Sequence, residues 1–92
     1  MSKKAAVVLS GCGVFDGSEI HEAVVALLNL QRRGVDAEFF APDIDFAAVN
    51  HADGTPDGTR SVLAESARIA RGRISALSSL DAAAFDALVF VG

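Results

Sequence analysis

The chain has 92 residues, enough for one small domain at most, and its composition of 51% hydrophobic and 22% charged residues excludes an intrinsically disordered protein. The net charge of −4 excludes a surface that binds the nucleic-acid backbone, because such a surface needs clustered Lys and Arg and the eight present are scattered. The single cysteine, Cys12, can form no internal disulfide, which favours a reduced, intracellular protein.

The first predicted element is a strand over residues 5–9, an uninterrupted apolar run of the kind found in strands buried on both faces. A helix follows, with Ser18 predicted as its N-cap, one broad apolar face, and a stop at Gly34. Residues 35–41 then alternate apolar and polar side chains. This alternation predicts a second strand that lies at the edge of the sheet or is half covered, and not a central one.

The rest of the chain predicts a long loop, a second helix and a last strand. Residues 42–58 are rich in Pro, Asp, Asn and Gly and predict a loop, with one short turn around residues 46–49. Residues 59–70 predict a helix, followed by a Ser-rich connector and a short turn capped by Asp81. Residues 87–91 form a third apolar run and predict the third strand.

This order of elements predicts an α/β fold: a Rossmann-like or flavodoxin-like three-layer sandwich, present here as a partial β-α-β-α-β unit with a parallel sheet. In such sheets ligands bind beyond the carboxyl ends of the strands. That edge is formed by residues 10–18, by the loop that begins at Pro42, and by Gly92. The sequence therefore predicts one candidate site at one edge of the sheet.

The glycine-rich segment after the first strand does not match a nucleotide-binding motif. Gly11, Gly13 and Gly17 give G-x-G-x-x-x-G, which is one residue longer than the dinucleotide fingerprint. An acidic residue to bind the ribose is missing at the end of the second strand, where Asp43 is the nearest, and the Gly-Lys-Ser/Thr of a phosphate-binding P-loop is missing too. The glycines instead indicate close approach of the backbone to a ligand.

The longer string LSGCGVFDGSEIHEAV, residues 9–24, resembles the N-terminal signature of the ElbB family. These are the isoprenoid-biosynthesis glyoxalase proteins of the PfpI-like, class I glutamine amidotransferase-like superfamily. Residues 40–43, 50–51, 67–72 and 86–89 resemble further segments of the same family in the same order. The resemblance covers essentially the whole chain and implies that residues 1–92 are the N-terminal portion of a single amidotransferase-like domain.

The resemblance also implies a chemistry. Members of the family are expected to convert small dicarbonyls, such as glyoxal and methylglyoxal, to hydroxy acids without a cofactor. Their cysteine nucleophile follows a later strand, so we expect it beyond the end of this chain, with a glutamate of the first helix beside it. The motif D-G-x-E-x-x-E places that glutamate at Glu22. The substrate pocket is expected at Gly11, Cys12, Gly13 and His51.

Simpler interpretations of the same residues stay open. Cys12 could replace the nucleophile, since a nearby helix N-terminus lowers a thiol pKa, but a packed and unreactive cysteine is more typical of a tight turn. Glu22 is also a favourable charge for the helix dipole, and Glu19 fits a capping-region acid. His21 and His51 lack a third ligand, so we expect no metal site. His51 is either part of the pocket or an ordinary loop histidine.

A hypothesis of a different class is that the chain is a non-catalytic half-domain that survives by association. We expect it to form a homodimer or to pair with the remainder of the domain, since two helices cannot cover both faces of the sheet. No apolar stretch approaches the roughly 20 residues that span a bilayer, and the apolar run after Lys3 and Lys4 is too short for a secretory signal. The sequence therefore predicts a cytoplasmic protein without membrane contact.

Overall fold

A computed structural model describes residues 2–92. The helices and strands in chain order are β1 (Lys4–Val8), α1 (Ile20–Arg32), β2 (Asp36–Ala41), β3 (Asp45–Val49), β4 (Pro56–Ser61), α2 (Val62–Ala70), β5 (Ile74–Ala76) and β6 (Ala87–Phe90). Four strands form a parallel sheet in the order β5-β2-β1-β6, while β3 and β4 pair separately as an antiparallel hairpin. The predicted α/β class with a parallel sheet is confirmed.

Strand β1 lies in the interior of the sheet, as its uninterrupted apolar run predicts. Val7 pairs with Phe39 of β2 on one side and with Val89 of β6 on the other. Residues 5–9 are all buried. A strand with neighbours on both edges and cover on both faces has no exposed position, and its sequence therefore lacks the apolar–polar alternation of a surface strand.

Both helices lie on the same face of the sheet. The crossovers β1-α1-β2 and β2-α2-β5 advance across the sheet in the same direction, and right-handed crossovers then place their helices on one side. The core between them contains Val7, Leu9, Ala23 and Val91, with Leu30, Ala37, Phe39, Ile69, Ile74 and Val89 packed against it. The opposite face is covered in part by Phe85, whose ring meets that of Phe40 edge-on at 5.7 Å.

Three expectations about the middle of the chain are wrong. Residues 42–58 are not a loop, because they contain β3 and the start of β4. The second helix begins at Val62 and not at Thr59, since residues 59–61 belong to β4 and Ser61 caps the helix. The Ser-rich connector contains the edge strand β5, and β2 is consequently an interior strand. Its alternation reflects a face left exposed at Asp36 and Glu38.

The cap of α1 also differs from the prediction. Glu19, not Ser18, is the N-cap, and its carboxylate accepts a hydrogen bond from Glu22 N at 2.7 Å. The Ser18 side chain is fully buried instead, where its Oγ accepts from Ser10 N at 2.9 Å and donates to the Val91 carbonyl at 3.2 Å. Ser18 thus joins the end of β1 to the segment after β6. Within residues 2–92, α1 and α2 are both too short and too polar to cross a membrane.

Candidate functional site

The glycine-rich loop, residues 10–19, connects β1 to α1 at the carboxyl edge of the sheet. It folds back on itself, because Ser18 N donates to the Ser10 carbonyl at 3.0 Å and Gly13 N donates to the Ser18 carbonyl at 2.9 Å. Gly17 lies in the closest part of this fold, where a Cβ atom would stand 2.5 Å from the Ser10 oxygen. The loop therefore requires a residue without a side chain at this position.

Ser66 of α2 anchors the loop from below. Its Oγ, on a residue with no exposed surface, accepts a hydrogen bond from Gly11 N at 2.8 Å. Ser66 was not predicted from the sequence as a site residue. The available signal was its spacing, because Ser66 lies four residues from both Val62 and Ala70 on the buried face of the helix, where a polar side chain needs a partner.

Glu22 lies beside Gly92, which follows the end of β6. Its Oε1 accepts a hydrogen bond from Gly92 N at 3.1 Å, and the Gly92 carbonyl accepts one from Glu19 N at 2.6 Å. The N-terminal end of α1 thus binds both backbone groups of Gly92, its amide and its carbonyl. The carboxylate of Glu22 remains exposed at the carboxyl edge of the parallel sheet, the edge at which the sequence predicts the site.

Glu19 has a capping role, as expected. The hydrogen bond from Glu22 N, followed by that from His21, lowers the pKa of Glu19 below its ordinary value. His21 Nδ1 lies 2.8 Å from Glu19 Oε1, and the His21 side chain is 92% exposed. His21 is therefore a surface residue that contacts the helix cap. Among residues 2–92 there is no group of three or more His, Cys, Asp or Glu side chains placed to hold a metal ion.

His51 contacts the glycine-rich loop from the β3-β4 hairpin. Its Nε2 lies 3.2 Å from both Val14 N and Phe15 N, and its ring stacks on that of Phe15 with centroids 4.7 Å apart. A Cβ atom on Gly13 would stand 2.9 Å from His51 Nε2. The structure therefore brings together His51 and Gly13, two of the residues predicted for the pocket, although 38 positions separate them in the sequence.

Cys12 is half-buried, and not fully buried as a packed cysteine would be. Burial, and after it the nearby carboxylate of Glu65, raises the pKa of the Cys12 thiol above its ordinary value, against a smaller opposing effect of Arg68. The thiol is therefore protonated at neutral pH. Since the thiolate is the nucleophilic form, this environment disfavours Cys12 as a nucleophile.

We expect Cys12 in the folded chain to react slowly with a bulky thiol reagent, and only unfolding to expose it fully. Since the pKa is raised in the fold, the rate should increase at a higher pH than for the same thiol in urea. The same shift stabilises the fold at pH values below the thiol's unfolded pKa, and this contribution is lost as the pH rises through the folded pKa. Rapid labelling at neutral pH in native buffer would contradict this assignment.

A cavity of about 290 Å³ lies away from the carboxyl edge of the sheet. It lies by the amino-terminal half of β2, lined by Leu27, Gln31, Val35, Ala37, Phe39, Ala70 and Arg73. It contains none of the residues that the sequence predicts for the site.

Comparison with known proteins identifies similar mitochondrial proteins in rat and human. The chain is 51% identical over 92 residues to the ES1 protein homolog, mitochondrial, of Rattus norvegicus. It is 50% identical to the human glutamine amidotransferase-like class 1 domain-containing protein 3, mitochondrial. Each alignment covers 97% of this chain but only 35% and 34% of the relative, so the chain spans about a third of the length of these proteins. No model of a protein family matches the chain.

A solved structure shares the fold. The isoprenoid biosynthesis protein with amidotransferase-like domain from Ehrlichia chaffeensis superimposes with a TM-score of 0.95 and is 42% identical, over 99% of this chain and 44% of that one. The resemblance to the ElbB family is thereby confirmed: the chain is homologous to part of a glutamine amidotransferase-like class 1 domain.

The expected cytoplasmic location is contradicted by these relatives, since the rat, human and Danio rerio proteins are all named mitochondrial. The expectation was wrong because it used two features that only argue against secretion. A single cysteine and a short apolar run argue against secretion, and neither feature distinguishes one compartment inside the cell from another.

Proposed function

We propose that the chain forms the N-terminal part of a cofactor-independent, glyoxalase-like enzyme that converts small dicarbonyls, such as glyoxal and methylglyoxal, to hydroxy acids. The observation that supports this function best is the contact between Glu22 and Gly92 at the carboxyl edge of the sheet. It holds an exposed carboxylate beside Gly92, beyond which the ElbB resemblance expects the nucleophile. The homology with amidotransferase-like proteins supports the family resemblance from which this proposal starts.

The proposed reaction begins with a cysteine thiolate from outside residues 1–92, which attacks the aldehyde carbon of the dicarbonyl. The aldehyde oxygen takes up the proton that the carboxylate of Glu22 received from the thiol, giving a hemithioacetal. Glu22 then removes the proton on that carbon and returns it to the neighbouring carbonyl carbon, while the hydroxyl proton of the first carbon passes to the oxygen of the second. The first carbon is thereby oxidised to the carbonyl carbon of a thioester, and the second is reduced to an alcohol. Water hydrolyses the resulting thioester, which releases the hydroxy acid and restores the thiol.

In this proposal Gly11, Cys12 and Gly13 form one wall of the pocket and His51 lies at its rim. The amides of Gly11 and Gly13 already donate to Ser66 and Ser18, so they are not available to stabilise an oxyanion. Gly11 and Gly13 are buried and contribute only the backbone of this wall, and the protonated thiol of the half-buried Cys12 contributes a small, weakly polar surface.

The test uses a hybrid in which residues 1–92 replace the matching segment of the Ehrlichia chaffeensis protein. Identity of 42% and a TM-score of 0.95 make this exchange conservative. The hybrid and the parent protein should both convert methylglyoxal to lactate without added metal, thiol or nucleotide. Absence of this conversion from both proteins contradicts the proposed function.

A second candidate function is association, which exposed apolar surface favours. Ile20, Val24 and Leu28 follow one another every four residues on α1 and are 41%, 47% and 48% exposed. On β6, Leu88 is 44% and Phe90 is 68% exposed, and the outer edge of this strand pairs with no other strand among residues 2–92. Such surfaces are typical of interfaces. We propose that the 92-residue chain forms a homodimer or pairs with the remainder of an amidotransferase-like domain.

Sedimentation velocity of the isolated chain at low micromolar concentration is expected to give a mass above the 9.5 kDa of one chain. Val24→Glu and Phe90→Lys place a charge on the α1 surface and on the β6 edge respectively, and the variant that lowers the mass identifies the interface. Ala82→Glu, at an exposed position that belongs to neither α1 nor β6, is the control. A cooperatively folding 9.5 kDa monomer contradicts association.

A further inference from the structure

The contacts of His51 define the protonation state of its ring. Nδ1 lies 2.9 Å from the Val49 carbonyl, which only accepts hydrogen bonds, so Nδ1 carries a proton. Nε2 lies 3.2 Å from Val14 N and from Phe15 N, which only donate. Nε2 therefore carries no proton and serves as a shared acceptor, and the ring is the neutral Nδ1–H tautomer.

Asp16 completes this contact between the loop and the hairpin. Its Oδ2 accepts a hydrogen bond from Val49 N at 2.8 Å, and its Oδ1 lies 3.5 Å from His51 Nε2. The side chain of Asp16 is 9% exposed and that of His51 is 35% exposed. Gly13 is enclosed by the same two side chains, since a Cβ atom there would stand 2.5 Å from Asp16 Oδ1. Contacts among Phe15, Asp16, Val49 and His51 thus join the glycine-rich loop to the hairpin.

We propose that His51 is a positioning residue whose neutral ring fastens the Val14–Phe15 segment to the hairpin, and that protonation of Nε2 releases this segment. A protonated Nε2 would direct its hydrogen toward two amide hydrogens, and both hydrogen bonds would be lost. Its new proton has one acceptor nearby, Asp16 Oδ1. Protonation therefore exchanges two bonds to the loop backbone for one ion pair with Asp16.

The other charged groups of this region are engaged elsewhere. Glu65 and Arg68 of α2 act on the thiol of Cys12, and Glu65 also pairs with Arg60 of β4. Asp53 in the hairpin turn accepts hydrogen bonds from Thr55. Asp16 is thus the charged side chain that faces the ring. The proposal concerns the position of the glycine-rich loop and does not depend on the reaction proposed above.

The test follows the ring and the loop amides together by NMR of the ¹⁵N-labelled chain. Near neutral pH, long-range correlations of the His51 ring should show an unprotonated Nε2 and a protonated Nδ1. Titration from about pH 8 to about pH 5, where histidine side chains generally change charge, should shift the Val14 and Phe15 amides with the midpoint of the His51 ring. A protonated Nε2 at neutral pH, or loop amides that follow a different midpoint, overturns the proposal.

Variants separate positioning from a general effect on stability. His51→Gln offers an acceptor oxygen that does not titrate, so the loop amides should stay protected from hydrogen exchange and lose their pH-dependent shift. His51→Ala should raise the exchange rates of the Val14 and Phe15 amides about tenfold at every pH. His21→Gln is the matched histidine control and should behave as the wild type. A pH response in His51→Gln equal to that of the wild type overturns the proposal even if His51→Ala fails to fold.

Discussion

Glu22→Gln is expected to lower kcat/KM for methylglyoxal by about 10²- to 10⁴-fold in the hybrid enzyme, the range typical of a positioned acid–base group. Glutamine keeps the length of the side chain and an oxygen that accepts the hydrogen bond from Gly92 N. It loses the ability to take up and return a proton. The fold around α1 should therefore persist while the proposed proton transfers fail.

Glu19→Gln is the matched control for this substitution. Glu19 lies one turn before Glu22, and its glutamine retains an oxygen that can accept the hydrogen bond from Glu22 N and cap the helix. We expect it to keep kcat/KM within a few-fold of the unsubstituted hybrid. Unchanged kinetics in Glu22→Gln removes Glu22 from the mechanism, whereas equal losses in both variants indicate a structural effect on α1.

The elements that could be predicted are those that a pattern within their own residues identifies. Residues 5–9 and 87–91 are apolar without interruption, and both proved to be neighbouring strands of the parallel sheet. The α1 helix combines an apolar face with a terminating glycine, and its predicted extent is close to the observed Ile20–Arg32. In each case a local pattern was sufficient, because a short uninterrupted apolar run is typical of a strand in a parallel sheet and one apolar face is typical of a helix packed on it.

The β3-β4 hairpin was missed because it lies outside the main sheet and buries little of itself. Residues 56–60 of β4 are all exposed, so no apolar alternation marks the strand. The Asp53-Gly54 pair fits a loop as well as a hairpin, and Gly54 has a φ of +77° in the turn that joins the two strands. Asp-Gly between two extended segments is a hairpin signal, but the polar composition around it favoured a loop.

The contacts that shape the candidate site depend on residues far apart in the sequence. Gly11 and Ser66 are 55 positions apart, and Phe15 and His51 are 36 apart. Local pattern cannot pair such residues, since the pairing follows from the sheet topology and from a hairpin that local pattern did not reveal. The ElbB resemblance did indicate Glu22 and the edge at which it lies. The contacts of His51 with Val14 and Phe15 follow from the structure alone.

The largest expected effect on stability is that of Gly17→Ala, which should cost about 3 kcal/mol or more of unfolding free energy. The new Cβ would stand 2.5 Å from the Ser10 oxygen, 3.1 Å from Gly11 Cα and 3.2 Å from Cys12 N. All three are backbone atoms, so no side-chain rotation relieves the contact. Relief requires opening the fold of the loop, including the hydrogen bond from Ser18 N to the Ser10 carbonyl.

Gly34→Ala is the matched control for this prediction, because it tests the cost of a positive φ without a steric clash. Gly34 has a φ of +71°, but a Cβ atom there would have no neighbour within 4 Å, so alanine should cost only about 1 kcal/mol through backbone strain. Urea unfolding followed by circular dichroism compares the two variants, at one fixed chain concentration because the proposed association would also contribute to stability. A Gly17→Ala chain as stable as Gly34→Ala would show that the loop can open without loss, and that its close backbone contacts do not hold the edge of the sheet together.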